Sequence, residues 1–92
     1  MKGKTKSGIE FELDERIKDD TRFMMLLVKM KRAKEATETA EAMYDLFNLI
    51  FGSDEGTYTF MTEVANKHDG VCSADNMLVE LTDMLDTLKA KN

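Results

Sequence analysis

The hydrophobic positions of this chain follow two different periods. Ile9, Phe11 and Leu13 alternate with charged residues, which is typical of a strand that buries one face. After residue 19 the apolar residues recur every three or four positions, which is the spacing of amphipathic helices. The pattern predicts a mainly α fold, with a β-hairpin over residues 1–14 and four helices over residues 20–34, 36–51, 54–68 and 73–89. We expect these elements to form a small bundle and a single domain over residues 1–92.

The register of the hairpin can be predicted from its loop. If residues 6–8 form a three-residue loop that ends in a left-handed glycine, Thr5 faces Ile9. Gly3 then faces Phe11 on the same side of the hairpin. The other side carries two oppositely charged pairs, Lys2 with Glu12 and Lys4 with Glu10. An isolated two-stranded hairpin is only marginally stable in water, so we expect its apolar face to pack on the helices.

The first helix is apolar on more than one side. One arc of its surface carries Phe23, Leu26, Leu27 and Met30, and a second arc carries Met24, Met25 and Val28. The simplest interpretation is that this helix is the central and most buried one of the bundle. The alternative is that the second arc faces a partner.

The end of the second helix carries more large apolar side chains than one packing stripe needs. Its apolar residues between positions 43 and 51 spread over about 220° of the helix surface. The excess lies at Leu49, Ile50 and Phe51, and another surface must cover it.

The last helix has the clearest amphipathic pattern, with an apolar stripe about 120° wide. Glu80, Asp83 and Asp86 fall outside this stripe, so we expect them to lie on a solvent-exposed face.

Few residues could carry catalytic or metal chemistry. His68 and Cys72 are the only imidazole and the only thiol, and with Asp69 they make three ligands where a structural zinc site needs four. The chain has no phosphate-binding glycine loop, no calcium loop and no serine elbow. We therefore expect a protein that is not an enzyme, with no catalytic residue, no metal ligand and no cofactor.

The net charge of −5 is unevenly distributed. Residues 1–34 carry ten basic and six acidic residues, whereas residues 35–92 carry three basic and twelve acidic ones. Nucleic-acid binding needs clustered cations, and the acidic majority would repel the phosphates. No segment has the pattern of a membrane span or an export signal, and the single cysteine cannot form an internal disulfide. We expect a cytoplasmic protein with no nucleic-acid or membrane partner.

Seven of the eight methionines, all except Met1, are concentrated on helices that also carry Phe and Leu. Methionine is flexible and polarisable, so it suits either gaps in a core or a surface that adapts to varied apolar partners. The excess of apolar surface favours the second interpretation, in which the chain binds an apolar helical segment. The predicted partner-binding residues are Met24, Met25, Val28, Leu49, Ile50 and Phe51.

Several short motifs resemble, in their order along the chain, those of one protein family. They are TKSGIEFEL over residues 5–13, Asp19-Asp20, Phe51-Gly52, the Asp69-Gly70-Val71 turn, Leu85-x-x-Leu88-Lys89 and the Lys91-Asn92 end. Together they resemble tail assembly chaperones of siphophage-type tailed phages and prophages of Gram-positive bacteria. Gly3, Gly56 and the basic stretch of residues 29–34 depart from that family's pattern.

The resemblance implies a chaperone that binds the long, apolar, helical tape-measure protein. Such a chaperone keeps its client soluble in the bacterial cytoplasm until tail-tube subunits polymerise around it. The tape-measure protein is then the main partner, and the tail-tube protein and further copies of the chain are additional ones. A different hypothesis is a small acidic regulator, an inhibitor or antitoxin-like protein that mimics nucleic acid.

The resemblance also implies a longer product made by a −1 ribosomal frameshift near the end of the short reading frame. Residues 90–92, Ala-Lys-Asn, can be encoded by a slippery heptamer. We expect such an extension to run from the polar end of the last helix and to add a second contact with the client.

Overall fold

The computed structural model describes residues 1–90. Two strands, β1 (Lys2–Lys4) and β2 (Glu10–Glu12), are followed by a short 3-10 helix over Glu15–Asp19. Four helices complete the described chain: α1 (Thr21–Arg32), α2 (Ala36–Phe51), α3 (Asp54–Lys67) and α4 (Ala74–Ala90). The predicted mainly α fold with an N-terminal β-hairpin is confirmed. Residues 91 and 92, which belong to the predicted frameshift site, lie outside the described residues.

The two strands pair antiparallel in the predicted register. Lys2 lies opposite Glu12, Gly3 opposite Phe11 and Lys4 opposite Glu10. In the loop, Gly8 has a φ of 96°, and its N–H donates to the carbonyl of Thr5 at 2.9 Å. This left-handed conformation is the one that a three-residue loop requires at its last position, and it favours glycine.

Gly3 lets the ring of Phe11 lie against the backbone of β1. A Cβ atom at residue 3 would be 2.6 Å from Cζ of Phe11, which is well inside van der Waals contact. An aromatic side chain that covers a glycine on the neighbouring strand helps to fix the register of the pair. The glycine at position 3 is therefore explained by packing.

Side-chain caps fix the starts of three helices. Asp20 accepts a hydrogen bond from the N–H of Arg22 at 2.9 Å at the start of α1. Ser53 and Ser73 each accept a backbone N–H at 3.0 Å at the starts of α3 and α4. The bounds of the four helices therefore lie within two residues of those predicted. In the described part of the chain, no helix combines the length and the apolar character that crossing a membrane requires.

The short 3-10 helix was not predicted. Asp14 caps it by accepting the N–H of Arg16 at 2.9 Å, and the Arg16 guanidinium lowers the pKa of Asp14 to about 2. Ile17 is the one apolar residue of the segment, so no hydrophobic period marks it as helical.

The apolar face of the hairpin is part of the hydrophobic core. Ile9, Phe11 and Leu13 are buried together with residues from all four helices. The most deeply buried of these helical residues are Leu46 and Phe47 of α2, Val64 of α3 and Met84 of α4. The helices thus provide the apolar contacts without which two short strands would not be stable.

Helix α1 lies at the edge of the bundle. Of its twelve residues, all of them described, Phe23 alone is buried, and Met24 and Met25 are exposed. Its main contacts are with α2 and the 3-10 helix. The interpretation of this helix as the central and most buried one is therefore wrong, because the other helices and the hairpin already enclose the core.

We predict that Gly3→Ala lowers the free energy of unfolding by about 1–3 kcal/mol, because the added methyl group must displace the buried Phe11 ring. Chemical denaturation followed by circular dichroism measures this loss. Lys4→Ala is the control, since Lys4 is exposed on the same strand, and its effect should stay within about 0.5 kcal/mol. A Gly3→Ala protein as stable as the wild type would show that the Phe11 ring does not need the glycine.

Candidate functional site

The partner-binding residues predicted on α1 lie on its outer face. Met24 is 45% exposed and Met25 is 58% exposed. Val28, one helical turn further on, is half-buried. The opposite side of α1 packs on the core through Phe23, Leu26, Leu27 and Met30. The helix therefore presents a second apolar surface that no other described element covers fully.

The partner-binding residues predicted on α2 have a different environment. Leu49, Ile50 and Phe51 are half-buried and pack against the core. The Phe51 ring lies 5.1 Å from the ring of Phe60 and 5.9 Å from that of Phe47, measured between ring centres. Phe51 therefore helps to hold α2 and α3 together. Only part of each of the three side chains is left for a partner.

The topology brings the two groups of residues toward the same end of the molecule. Only residues 33–35 separate α1 from α2, and the two helices pack side by side. The start of α1, with Met24 and Met25, is therefore near the end of α2, with its apolar residues 49–51. The assignment of these residues to partner binding remains a prediction.

Two acidic residues of α4 do not lie where the sequence pattern predicts. Glu80 is fully buried and Asp83 is 9% exposed, so the expectation of a solvent-exposed face is wrong for both, whereas Asp86 is exposed. The hairpin loop covers this side of α4. The Ser7 hydroxyl donates to Oε2 of Glu80 at 2.9 Å, and the N–H of Lys6 donates to Oδ2 of Asp83 at 3.0 Å.

His68, at the end of α3, completes this buried polar cluster. Its Nε2 atom lies 3.0 Å from Oε2 of Glu80. Burial raises the pKa of Glu80, but hydrogen bonds with Thr5, His68 and Ser7 outweigh burial, so the pKa lies below its ordinary value of 4.5. The other oxygen, Oε1, is buried with no hydrogen-bond partner of good geometry within residues 1–90.

The arrangement of this cluster is that of a structural clamp. In a nucleophilic triad the imidazole lies between the serine and the acid, so that it can take the serine proton. Here the carboxylate of Glu80 lies between Ser7 and His68, and both bind the same oxygen atom. The Ser7 hydroxyl donates to an acid, and within residues 1–90 His68 makes no hydrogen bond that would let it take the proton of Ser7.

The single thiol lies in a small apolar cleft between α2, α3 and the start of α4. The cleft has a volume of about 90 Å³, and Met43, Met61 and Met77 line it together with Cys72. Burial raises the pKa of the Cys72 thiol, which lowers its reactivity. Among the residues that the structure describes, no three His, Cys, Asp or Glu side chains are grouped so that they could hold a metal ion.

Comparison of the chain with protein-family models, with curated proteins and with solved structures finds no match.

We predict that Met25→Asp and Phe51→Asp have different effects on stability. Met25→Asp should change the free energy of unfolding by no more than about 0.5 kcal/mol, because the side chain is in solvent. Phe51→Asp should cost about 2–4 kcal/mol, because it removes an aromatic ring that packs on Phe47 and Phe60 and places a charge beside the core. Thermal unfolding of the two variants tests this difference, and a large loss in Met25→Asp would show that this residue belongs to the core.

We predict that Glu80→Gln lowers the free energy of unfolding at pH 7 by about 1–3 kcal/mol. The neutral amide has one acceptor oxygen in place of two and accepts hydrogen bonds less strongly than the charged carboxylate. The pKa of Glu80 in the folded protein lies below 4.5. The ionised carboxylate therefore makes its full contribution to the free energy of unfolding above pH 4.5, and this contribution is lost as the pH falls through the pKa of the folded state. The difference between wild type and variant should therefore shrink on acidification.

Urea unfolding between pH 7 and pH 3 measures this pH dependence, with the exposed Asp86→Asn as the control. A stability difference that is the same at every pH would show that the ionised form of Glu80 does not hold the fold together.

Proposed function

We propose that this chain is a non-enzymatic chaperone that binds an apolar helical segment of another protein and keeps it soluble. The observation that carries the proposal is the outer face of α1, defined here by Met24, Met25 and Val28. The exposed large apolar residues elsewhere in the described chain each stand alone: Tyr58 in α3, Val71 in the loop between α3 and α4, and Val79 in α4. Only on α1 do two of them adjoin.

The chemistry of the α1 face suits a helical client. Methionine side chains adopt many shapes at low energetic cost, so they can pack against different apolar residues of a partner helix. A helix docked on them would bury its anchors at the spacing of one helical turn, as in helix-in-groove recognition. A face of three apolar side chains supports weak and adaptable binding. A chaperone that later releases its client requires binding of this kind.

The charge of the rest of the chain supports the same role. Residues 35–92 carry a large excess of acidic over basic residues, and most of these acids are exposed. Several copies that coat one client would repel one another, and this repulsion would keep the complex dispersed. With the resemblance to phage tail assembly chaperones, these features favour the apolar helical tape-measure protein as the client.

Co-expression with a helical fragment of the tape-measure protein tests the proposal. The wild-type chain should raise the soluble fraction of the fragment, and Met25→Asp should abolish this effect while the variant itself stays folded. Val79→Asp is the matched control, because it places the same charge on an exposed apolar residue of α4, and it should retain the activity.

An acidic regulator that mimics nucleic acid would give the reverse result. In that case binding to its target would survive Met25→Asp and would fail when exposed acids of α2, such as Glu38 and Glu41, are changed to Gln. That pattern, or equal loss of solubilisation in Met25→Asp and Val79→Asp, would overturn the proposed function.

A further inference from the structure

The outer face of α1 carries positive charge as well as apolar side chains. Lys29, Lys31 and Arg32 are exposed, and none of them forms an ion pair within the part of the chain that the structure describes. By contrast, Arg22 at the start of the same helix is held by Asp20 at 2.7 Å. The three cations of the last turn of α1 are thus available to a partner.

These cations are spaced by whole helical turns from the apolar residues of the same face. Lys29 follows Met25 by four residues and Arg32 follows Val28 by four, so each lies one helical turn further along the same side. Lys31 follows Met24 by seven residues, which is two turns. The face is therefore apolar in its first half and cationic in its second half.

We infer that the outer face of α1 selects an apolar helix that also carries acidic residues within one to two turns of its apolar anchors. The inference rests on the proposed function and names the chemistry of the client segment. A favourable helix dipole accounts for cations at the end of α1, but it does not require them to flank an exposed apolar patch. Charge complementarity across such a patch sets specificity and encounter rate more than total affinity.

Two other occupants of the α1 face fit less well. A second copy bound through the same face in a symmetric dimer would set its cationic half against the cationic half of a parallel α1, or against the apolar half of an antiparallel one. An anionic membrane would attract the cations, but it would repel the acidic remainder of the chain, and the face has no aromatic residue to anchor it at the interface. A helix with its own acidic residues meets neither obstacle.

Three synthetic amphipathic helices test the inference. They share one apolar stripe, and their polar positions are filled with Glu, Gln or Lys. The wild-type protein should bind the Glu peptide about five to thirty times more tightly than the Lys peptide, with the Gln peptide between them. Fluorescence anisotropy at 50 mM and 300 mM salt should show this preference shrinking at the higher salt.

The protein variants make the test specific to α1. The triple variant Lys29→Gln, Lys31→Gln, Arg32→Gln should lose the preference for Glu while it still binds the Gln peptide. The matched control removes three exposed cations from outside α1, by Lys4→Gln, Lys6→Gln and Lys67→Gln, and should keep the preference. Circular dichroism checks that both variants fold. If the triple variant does not fold, the peptide series on the wild-type protein still tests the inference.

The outcomes separate the two proposals. Equal binding of all three peptides, or loss of the preference in the control variant, overturns the inference and leaves the proposed function in place. Binding of none of them, together with full client solubilisation by Met25→Asp, overturns the proposed function. Tighter binding to phosphatidylglycerol vesicles than to the Glu peptide, or a dimer that Met25→Asp dissociates, would assign the face to a membrane or to a second copy and would overturn the inference.

Discussion

The buried carboxylate of Glu80 is the interaction on which the arrangement of this bundle depends. It binds the hairpin loop through Ser7 and the end of α3 through His68, while the adjacent Asp83 binds the backbone of the same loop. A two-stranded hairpin is not stable alone, so these contacts and the burial of its apolar face keep it on the helices. Helix α1 packs at the edge of the bundle, against α2 and the 3-10 helix, and its outer face remains uncovered.

The buried carboxylate of Glu80 limits where the hairpin loop can lie. Removing a carboxylate from water is costly, and the cost is offset only where hydrogen bonds replace the lost hydration. Oε2 of Glu80 has two such contacts, whereas Oε1 has none of good geometry within residues 1–90. The carboxylate therefore favours one placement of the hairpin loop over others that would leave the charge unpaired.

Local features of the sequence were sufficient for the hairpin register and the helix bounds. The loop glycine, the alternation of Ile9, Phe11 and Leu13, and the serine and aspartate caps act over a few residues, so their effects can be predicted without tertiary structure. Residues 15–19 were missed because a single apolar residue does not define a period.

The burial of Glu80 and the edge position of α1 could not be predicted in the same way. Helical periodicity gives the neighbours of a residue along its own helix, but not the element that covers it. Glu80 lies three residues after Met77 and four before Met84, at the border of the buried stripe, and this spacing was the one available signal. For α1 the sequence showed two apolar arcs, and only the packing of the other elements decides which arc is buried.

The central claim is that the outer face of α1 binds the client, and site-specific photo-crosslinking tests it most directly. A benzophenone side chain is placed at Met25 in one protein and at Val79 in another, each co-expressed with a helical tape-measure fragment. Both positions are exposed and apolar, so they have the same chance of nonspecific contact. We expect a strong crosslink to the fragment from position 25 and little or none from position 79. Equal crosslinking from both positions, or crosslinking from position 79 alone, would contradict the account.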